Sequence, residues 1–394
     1  MSEYLTEVDQ LDLARTLFDD AKSGIEDSPD LVRLLDLATA AMEFEQLFGN
    51  DFSASSAFGA AVSVMRSQQQ LEPWLYGGVA HVGWVAFHLS RTSGSSLQGV
   101  NRFDDMITEW VADFPEDRDI DLPAGLLGLG VYALVHPDQA VRERITSQIL
   151  QVIRKRAEED DGLYVRLTAS PARMNLRPHM IGQRDLGVAH GVAGLISYLA
   201  SASMSRLRCA GEATQLLSAT LKWFLRQRSP LNGTIYPNSV ESRYEPSRSA
   251  WCYGDPGISL ALLVAAEATG SASVAAAARE AAAAALARPA DRARVVDACL
   301  CHGTAGLAWF GRRAAEAWEL PEARTYGARW AARIAQERRQ GPLHYVGFEG
   351  TRRDTSFLEG DLGVALALAY HATGRPPLWE ERLLTIRIRA LGDL

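Results

Sequence analysis

Leu300-Cys301-His302-Gly303-Thr304-Ala305-Gly306 sets a cysteine beside a histidine at the edge of a Gly-x-x-Gly step, and an apolar run follows. Neighbouring side chains on a regular helix diverge, so Cys301 and His302 cannot both enter one apolar core from a helix. From a loop about to become a helix, both can reach one metal ion. Trp251-Cys252-Tyr253-Gly254-Asp255-Pro256-Gly257 and Ala189-His190-Gly191-Val192-Ala193-Gly194 repeat the step. Gly125-x-x-Gly128 and Gly360-x-x-Gly363 do so again, and Gly78 is a weaker copy with His81 in place of the second glycine.

Each glycine step opens an apolar segment: Trp84–Leu89, Leu129–Val135, Leu195–Ala200, Ile258–Ala266, Leu307–Phe310 and Val364–Ala369. Charged, amphipathic segments lie between them, such as Ala210–Arg228, Ser273–Ala287 and Glu322–Arg338. A helix apolar all round must be buried, and one apolar on a single face can cover it. Repeated along the chain, this alternation predicts an all-α protein with an inner ring of helices sheathed by an outer ring, an α/α toroid. An open solenoid would leave its helices less uniformly apolar. Residues 1–394 read as a single domain of this kind, because repeats share one core. Residues 1–70 read as moderately polar helices, with apolar spacings of three and four in Leu11–Ala21 and Asp30–Phe48. The glycines are expected to let inner helices approach closely, and to leave the N–H groups of the helix starts facing a cavity. One insert breaks the rhythm. Residues 162–185 read as a short strand, Leu163–Thr168, and a basic loop carrying Arg173, Arg177 and Arg184, not as a helix. The insert precedes His190, so it is either a surface connector or a substrate-contacting overhang.

The remaining composition narrows the function. A net charge of −8 argues against nucleic acid as a partner. Four cysteines in 394 residues are too few for a disulfide scaffold. The acidic Met1-Ser2-Glu3-Tyr4 does not begin a secretory signal, and no apolar run reaches the ~18 residues of a membrane span. A reducing cytoplasm is therefore the expected compartment, and there cysteines serve metals or catalysis more often than crosslinks.

Cys252, Cys301 and His302 form a donor set of two thiolates and one imidazole, which suits catalytic zinc with an open fourth position. The alternative is a buried cysteine pair without metal. Cys209 and Cys299 are read as core, because neither lies in a glycine turn. His190, one residue before its Gly-x-x-Gly as His302 is before its own, is a candidate proton donor or acceptor. Arg248 lies four residues before Cys252, Tyr253 follows it directly, and Asp121 lies four before Gly125. Their plain alternatives are a loop ion pair, a cavity wall and a helix cap.

These three motifs, in this order, closely resemble those of the lanthionine synthetase C-like cyclases, and the likeness runs from about residue 70 onward. The resemblance implies an α/α toroid with one zinc per chain, held by Cys252, Cys301 and His302. It makes His190 the acid–base residue, with Asp121, Arg248 and Tyr253 around it. It implies addition of a peptide cysteine thiolate to dehydroalanine or dehydrobutyrine, giving the thioether rings of lanthipeptide antibiotics. The partners it implies are a dehydrated precursor peptide, a separate dehydratase and an exporter, with any membrane association arising through them. Relatives that bind glutathione or add other thiols share the motifs, as would a non-catalytic toroid scaffold. A prenyltransferase-like toroid would need an acidic zinc ligand and does not explain Cys-His-Gly.

Overall fold

A computed structural model describes residues 5–49, 52–93, 100–347 and 350–391. The acidic opening Met1–Tyr4 lies outside the described residues. The described residues form fifteen α-helices. In chain order they are α1 (Glu7–Asp27), α2 (Leu31–Phe48), α3 (Ala54–Ser67), α4 (Val79–Ser93), α5 (Asn101–Ala112), α6 (Leu126–Val135), α7 (Gln139–Arg156) and α8 (Pro171–Leu176). Then come α9 (Val192–Ser203), α10 (Ala210–Phe224), α11 (Asp255–Thr269), α12 (Ala272–Ala287), α13 (Thr304–Trp318), α14 (Pro321–Arg339) and α15 (Asp361–Thr373). Two small antiparallel hairpins complete the set, Glu158–Glu159 with Leu163–Tyr164 and Tyr345–Gly347 with Gly350–Arg352. No helix among the described residues is long and apolar enough to cross a membrane.

The chain divides into two compact units. One comprises residues 69–247, 253–281 and 379–394. Within it the glycine-opened helices are successive neighbours: α4 packs on α6, α6 on α9 and α9 on α11. Every residue of α6 is buried, as is α9 from Val192 to Ala202. The polar-faced helices cover them, α7 on α6 and α10 on α9. Helix α7 buries Val141, Ile145, Thr146, Ile149, Leu150 and Ile153, one stripe at helical spacing.

The other unit comprises residues 1–68, 248–252 and 282–378. Here α13 packs on α15 and α15 on α2, while α14 covers α13, α1 covers α15 and α3 covers α2. Helix α2 corrects the reading of the first 70 residues: it is buried almost continuously from Leu34 to Phe44, so it belongs with the inner helices. No glycine step precedes it, and its buried Asp36 and Glu43 gave it a polar look. Asp36 takes the N–H of Phe357 and Glu43 that of Leu378, so both carboxylates are spent on backbone.

The glycine steps do a different job from the one expected. In each of five turns, the first N–H after the leading glycine bonds to the carbonyl seven residues upstream: Val79 to Glu72, Leu126 to Asp119, Val192 to Asp185, Thr304 to Asp297 and Asp361 to Asp354. The helix-start N–H groups are thus satisfied by the chain's own incoming loop and do not face a cavity. A Cβ at Gly194 would overlap the Val188 carbonyl oxygen, and one at Gly306 the Leu300 carbonyl oxygen. The close approach is of loop to helix start, not of helix to helix. Gly254 departs from the pattern: it has φ +96° and Arg248 stands where the other turns carry an acid.

The insert also differs in part. Its strand is only Leu163–Tyr164, and α8 forms inside the supposed loop. Ser170 caps α8 by accepting the Arg173 N–H, and Pro171 sits at its first turn, where proline lacks no needed donor.

Candidate metal centre and acid–base pair

Two clusters emerge, each built on one of these turns. In the first, Asp297 starts the turn. Its Oδ1 accepts the Cys299 N–H at 3.0 Å, its Oδ2 the Val346 N–H at 3.0 Å, and its carbonyl the Thr304 N–H. Cys301 is fixed on both sides, donating its N–H to Leu358 O at 2.9 Å and accepting that of Cys252 at 3.4 Å. The result brings one donor atom each from Cys252, Cys301 and His302 within 4.8 Å of one another. Tetrahedral zinc at ordinary Zn–S and Zn–N distances separates its ligands by roughly 3.3–3.8 Å, so the set fits.

Its electrostatics favour a cation. The hydrogen bond from Cys301 holds the Cys252 thiol well below its ordinary pKa against the effect of burial, with help from His302 and the Arg248 charge. The same bond, burial and the Cys252 charge push Cys301 well above. Burial by itself would depress His302, but its bond to the Cys252 thiolate and the charges of Cys252 and Asp297 raise it, with Arg248 opposing. Two sulfurs and an imidazole thus compete for protons at close quarters, a donor set that suits a divalent cation.

Cys299 belongs to this turn, contrary to its reading as plain core. It is fully buried, and its Sγ accepts the His302 N–H at 3.4 Å. Burial, foremost, and Asp297 push its thiol well above the usual range, and Asp297, Cys299 and His302 also bring donor atoms within 4.8 Å of one another. Cys209 is plain core as expected. Burial and Glu143 push its thiol up to about 12.

In the second cluster, His190 Nδ1 lies 2.8 Å from Asp121 Oδ2. The other Asp121 oxygen accepts the Ala124 N–H at 3.2 Å in the turn before α6, whose N-cap is Gly125, so the residue braces the turn and partners the histidine and is not the helix cap. Leu122 N–H donates to Ala189 O at 3.0 Å and clamps the two loops together. Burial alone would lower the His190 pKa; the Asp121 hydrogen bond and the charges of Asp121 and Asp185 raise it, and Arg173 opposes them. The Tyr253 ring stands 6.3 Å from the imidazole, and its hydroxyl donates to Asp185 Oδ2 at 2.7 Å.

Asp185 and Asp297, which build the turns under the two clusters, are the residues the sequence reading missed. The signal was an acid six residues before each leading glycine: Glu72, Asp119, Asp185, Asp297 and Asp354 before Gly78, Gly125, Gly191, Gly303 and Gly360. The insert is tied to this frame. Arg173 of α8 is buried and paired with Asp119, whose Oδ1 also accepts the Thr168 N–H at 2.7 Å.

The sequence profile of the family described as lanthionine synthetase C-like protein matches residues 38–384. The chain belongs to the lanthionine synthetase C-like family. Among curated relatives it is similar to the nisin biosynthesis protein NisC of Lactococcus lactis subsp. lactis, 24% identical over 267 residues. That match spans 62% of this chain and 63% of the relative. Among solved structures it is similar to a nisin cyclase, with a TM-score of 0.73, 20% identity, and coverage of 94% of this chain and 97% of that one. The likeness shows the fold: this lanthionine synthetase C-like chain is all-α, an α/α toroid.

Proposed function

We propose that this chain is a zinc-dependent lanthipeptide cyclase, a single toroid domain that closes thioether rings on a dehydrated precursor peptide. The reading rests chiefly on the meeting of Cys252, Cys301 and His302 donor atoms within 4.8 Å, in a lanthionine synthetase C-like chain that is similar to a nisin biosynthesis protein. Zinc held by these three side chains would keep a substrate cysteine as thiolate near neutral pH, where a free thiol is only a few per cent ionised. Cys252 and Cys301 contribute two negative charges and His302 a neutral donor, which leaves the substrate sulfur nucleophilic. Three protein donors also leave a four-coordinate ion one position for substrate.

The remaining steps fall to the other residues. The substrate sulfur adds to the β-carbon of dehydroalanine or dehydrobutyrine, and negative charge develops on the peptide carbonyl oxygen. Arg248 supplies a cation for that oxygen. His190, with Nδ1 taken by Asp121, delivers a proton from Nε2 to the α-carbon. The peptide must arrive dehydrated, so a separate dehydratase is the implied partner, with an exporter acting on the product. We place the reaction in the cytoplasm.

Incubation with a dehydrated cysteine-containing precursor, scored as loss of alkylatable thiol at constant mass, tests the reading. Ring closure with this peptide supports it. Consumption of glutathione instead, or no thiol loss by protein that carries zinc, overturns it.

A further inference from the structure

The second cluster contains a buried carboxylate to which the proposed reaction gives no part. Asp185 is 1% exposed. Its Oδ1 accepts the Gly187 N–H at 2.8 Å, its Oδ2 accepts the Tyr253 hydroxyl at 2.7 Å, and its carbonyl accepts the Val192 N–H at 2.9 Å. Main-chain pairing with Ser239 holds the residue from the other side. A Cβ at Gly191 would overlap Asp185 Oδ1, so the turn leaves this carboxylate no other place.

We infer that Asp185 is a positioning residue that fixes Tyr253 as a hydrogen-bond acceptor beside His190. A phenol has one proton, and here it is committed to Asp185 Oδ2. The Tyr253 hydroxyl therefore has no proton left to donate to a ligand. In the site it receives a peptide N–H; it does not donate to the developing carbonyl anion. That division leaves donation to His190 and Arg248. It also means that one carboxylate serves two neighbours, since the Asp185 charge favours protonated His190 while Asp121 holds its Nδ1. Arg173 is the cation that limits this effect.

Asparagine at 185 tests the idea without changing the size of the side chain. The native carboxylate accepts two hydrogen bonds, and an amide has one acceptor and one donor group. With the Gly187 N–H retained on the amide oxygen, the amide NH₂ faces Tyr253, and the tyrosine proton turns toward the ligand. The kinetic arm rests on the cyclase reading. There D185N should lose about 10- to 100-fold in cyclisation rate, the range of one hydrogen bond to a charged group. Y253F should lose a similar amount, and D185N/Y253F no more than the worse single variant. Zinc content should stay within error of wild type in all three. The second arm needs no turnover: selective ¹³C labelling of histidine should show the His190 pKa lowered in D185N, because a neighbouring negative charge is gone, and nearly unmoved in Y253F. Multiplicative losses in the double variant, or a His190 pKa unchanged in D185N, overturn the assignment. If wild-type protein closes no rings, the cyclase reading fails while the histidine titration still decides the role of Asp185.

Discussion

The His302 turn and the His190 turn share one backbone and differ in what surrounds the imidazole. In both, an aspartate six residues before a glycine caps the turn with its carbonyl, a histidine sits one residue before that glycine, and an apolar helix follows. At His302 the preceding residue is Cys301 and the facing side chain is Cys252. At His190 the preceding residue is Ala189 and the facing side chain is Asp121. Thiols give the first turn donor atoms of the kind a soft divalent ion prefers. A carboxylate raises the second imidazole's hold on a proton. The difference teaches that chemistry here is assigned by two side chains on a frame that does not change.

The most damaging way to test that contrast is to remove a thiol. Cys301→Ala should drop zinc from about one per chain to near zero by elemental analysis after dialysis, and abolish cyclisation. Unlike a zinc finger, the variant should still fold, since a chain of this size has its own core. His190→Asn should keep its zinc and slow cyclisation by roughly 10²- to 10⁴-fold. Loss of zinc in that variant would place both histidines in the metal shell and dissolve the comparison.

Stability against pH separates the turns more gently. Burial raises Asp185 to about 6. A carboxyl that holds its proton more tightly folded than unfolded stabilises at low pH, and that stability is lost as pH rises from near 4 through 6. His190, also raised, behaves in the same sense, its contribution fading as pH rises above the ordinary histidine range. D185N should flatten the slope between pH 4 and 6 by up to about 3 kcal/mol, read from urea unfolding at several pH values. At the shared frame, Gly194→Ala and Gly306→Ala should each cost about 1–3 kcal/mol, because both meet a carbonyl oxygen of the incoming loop. A cost in one turn only would show that the backbones are not equivalent. The smallest effect is expected of Ala189→Cys. It recreates Cys-His-Gly without a second thiol, and zinc should remain at about one per chain.

Much of this was legible in the chain. The glycine steps announced every inner helix except α2, whose buried acids masked it. The gathering of Cys252, Cys301 and His302 was legible because cysteine beside histidine in a loop has few other uses. The turn's aspartates were not, because a carboxylate that bonds to main-chain N–H two residues on leaves no helical or strand periodicity. Cys299 was misjudged for the same reason: the turn was taken to begin at its glycine, whereas it begins at Asp297. Helix α8 was hidden by arginines and prolines that suggested a loop, although Ser170-Pro171 is a sound helix start.

The repetition of the turn has an evolutionary reading. Positions one and two before the leading glycine act as sockets that the fold supplies several times over. His302 and Cys301 fill one pair and His190 and Ala189 another, while Ala124 with Pro123 and Glu359 with Leu358 fill two more without a metal donor of sulfur or imidazole type. Because the main-chain bonds of each turn are made by an acid outside the socket, a socket residue can change without unmaking the turn. A duplicated scaffold of this kind can acquire or shed a reactive group by single substitutions, which makes Ala124 and Glu359 the places to begin when grafting a second activity onto the ring.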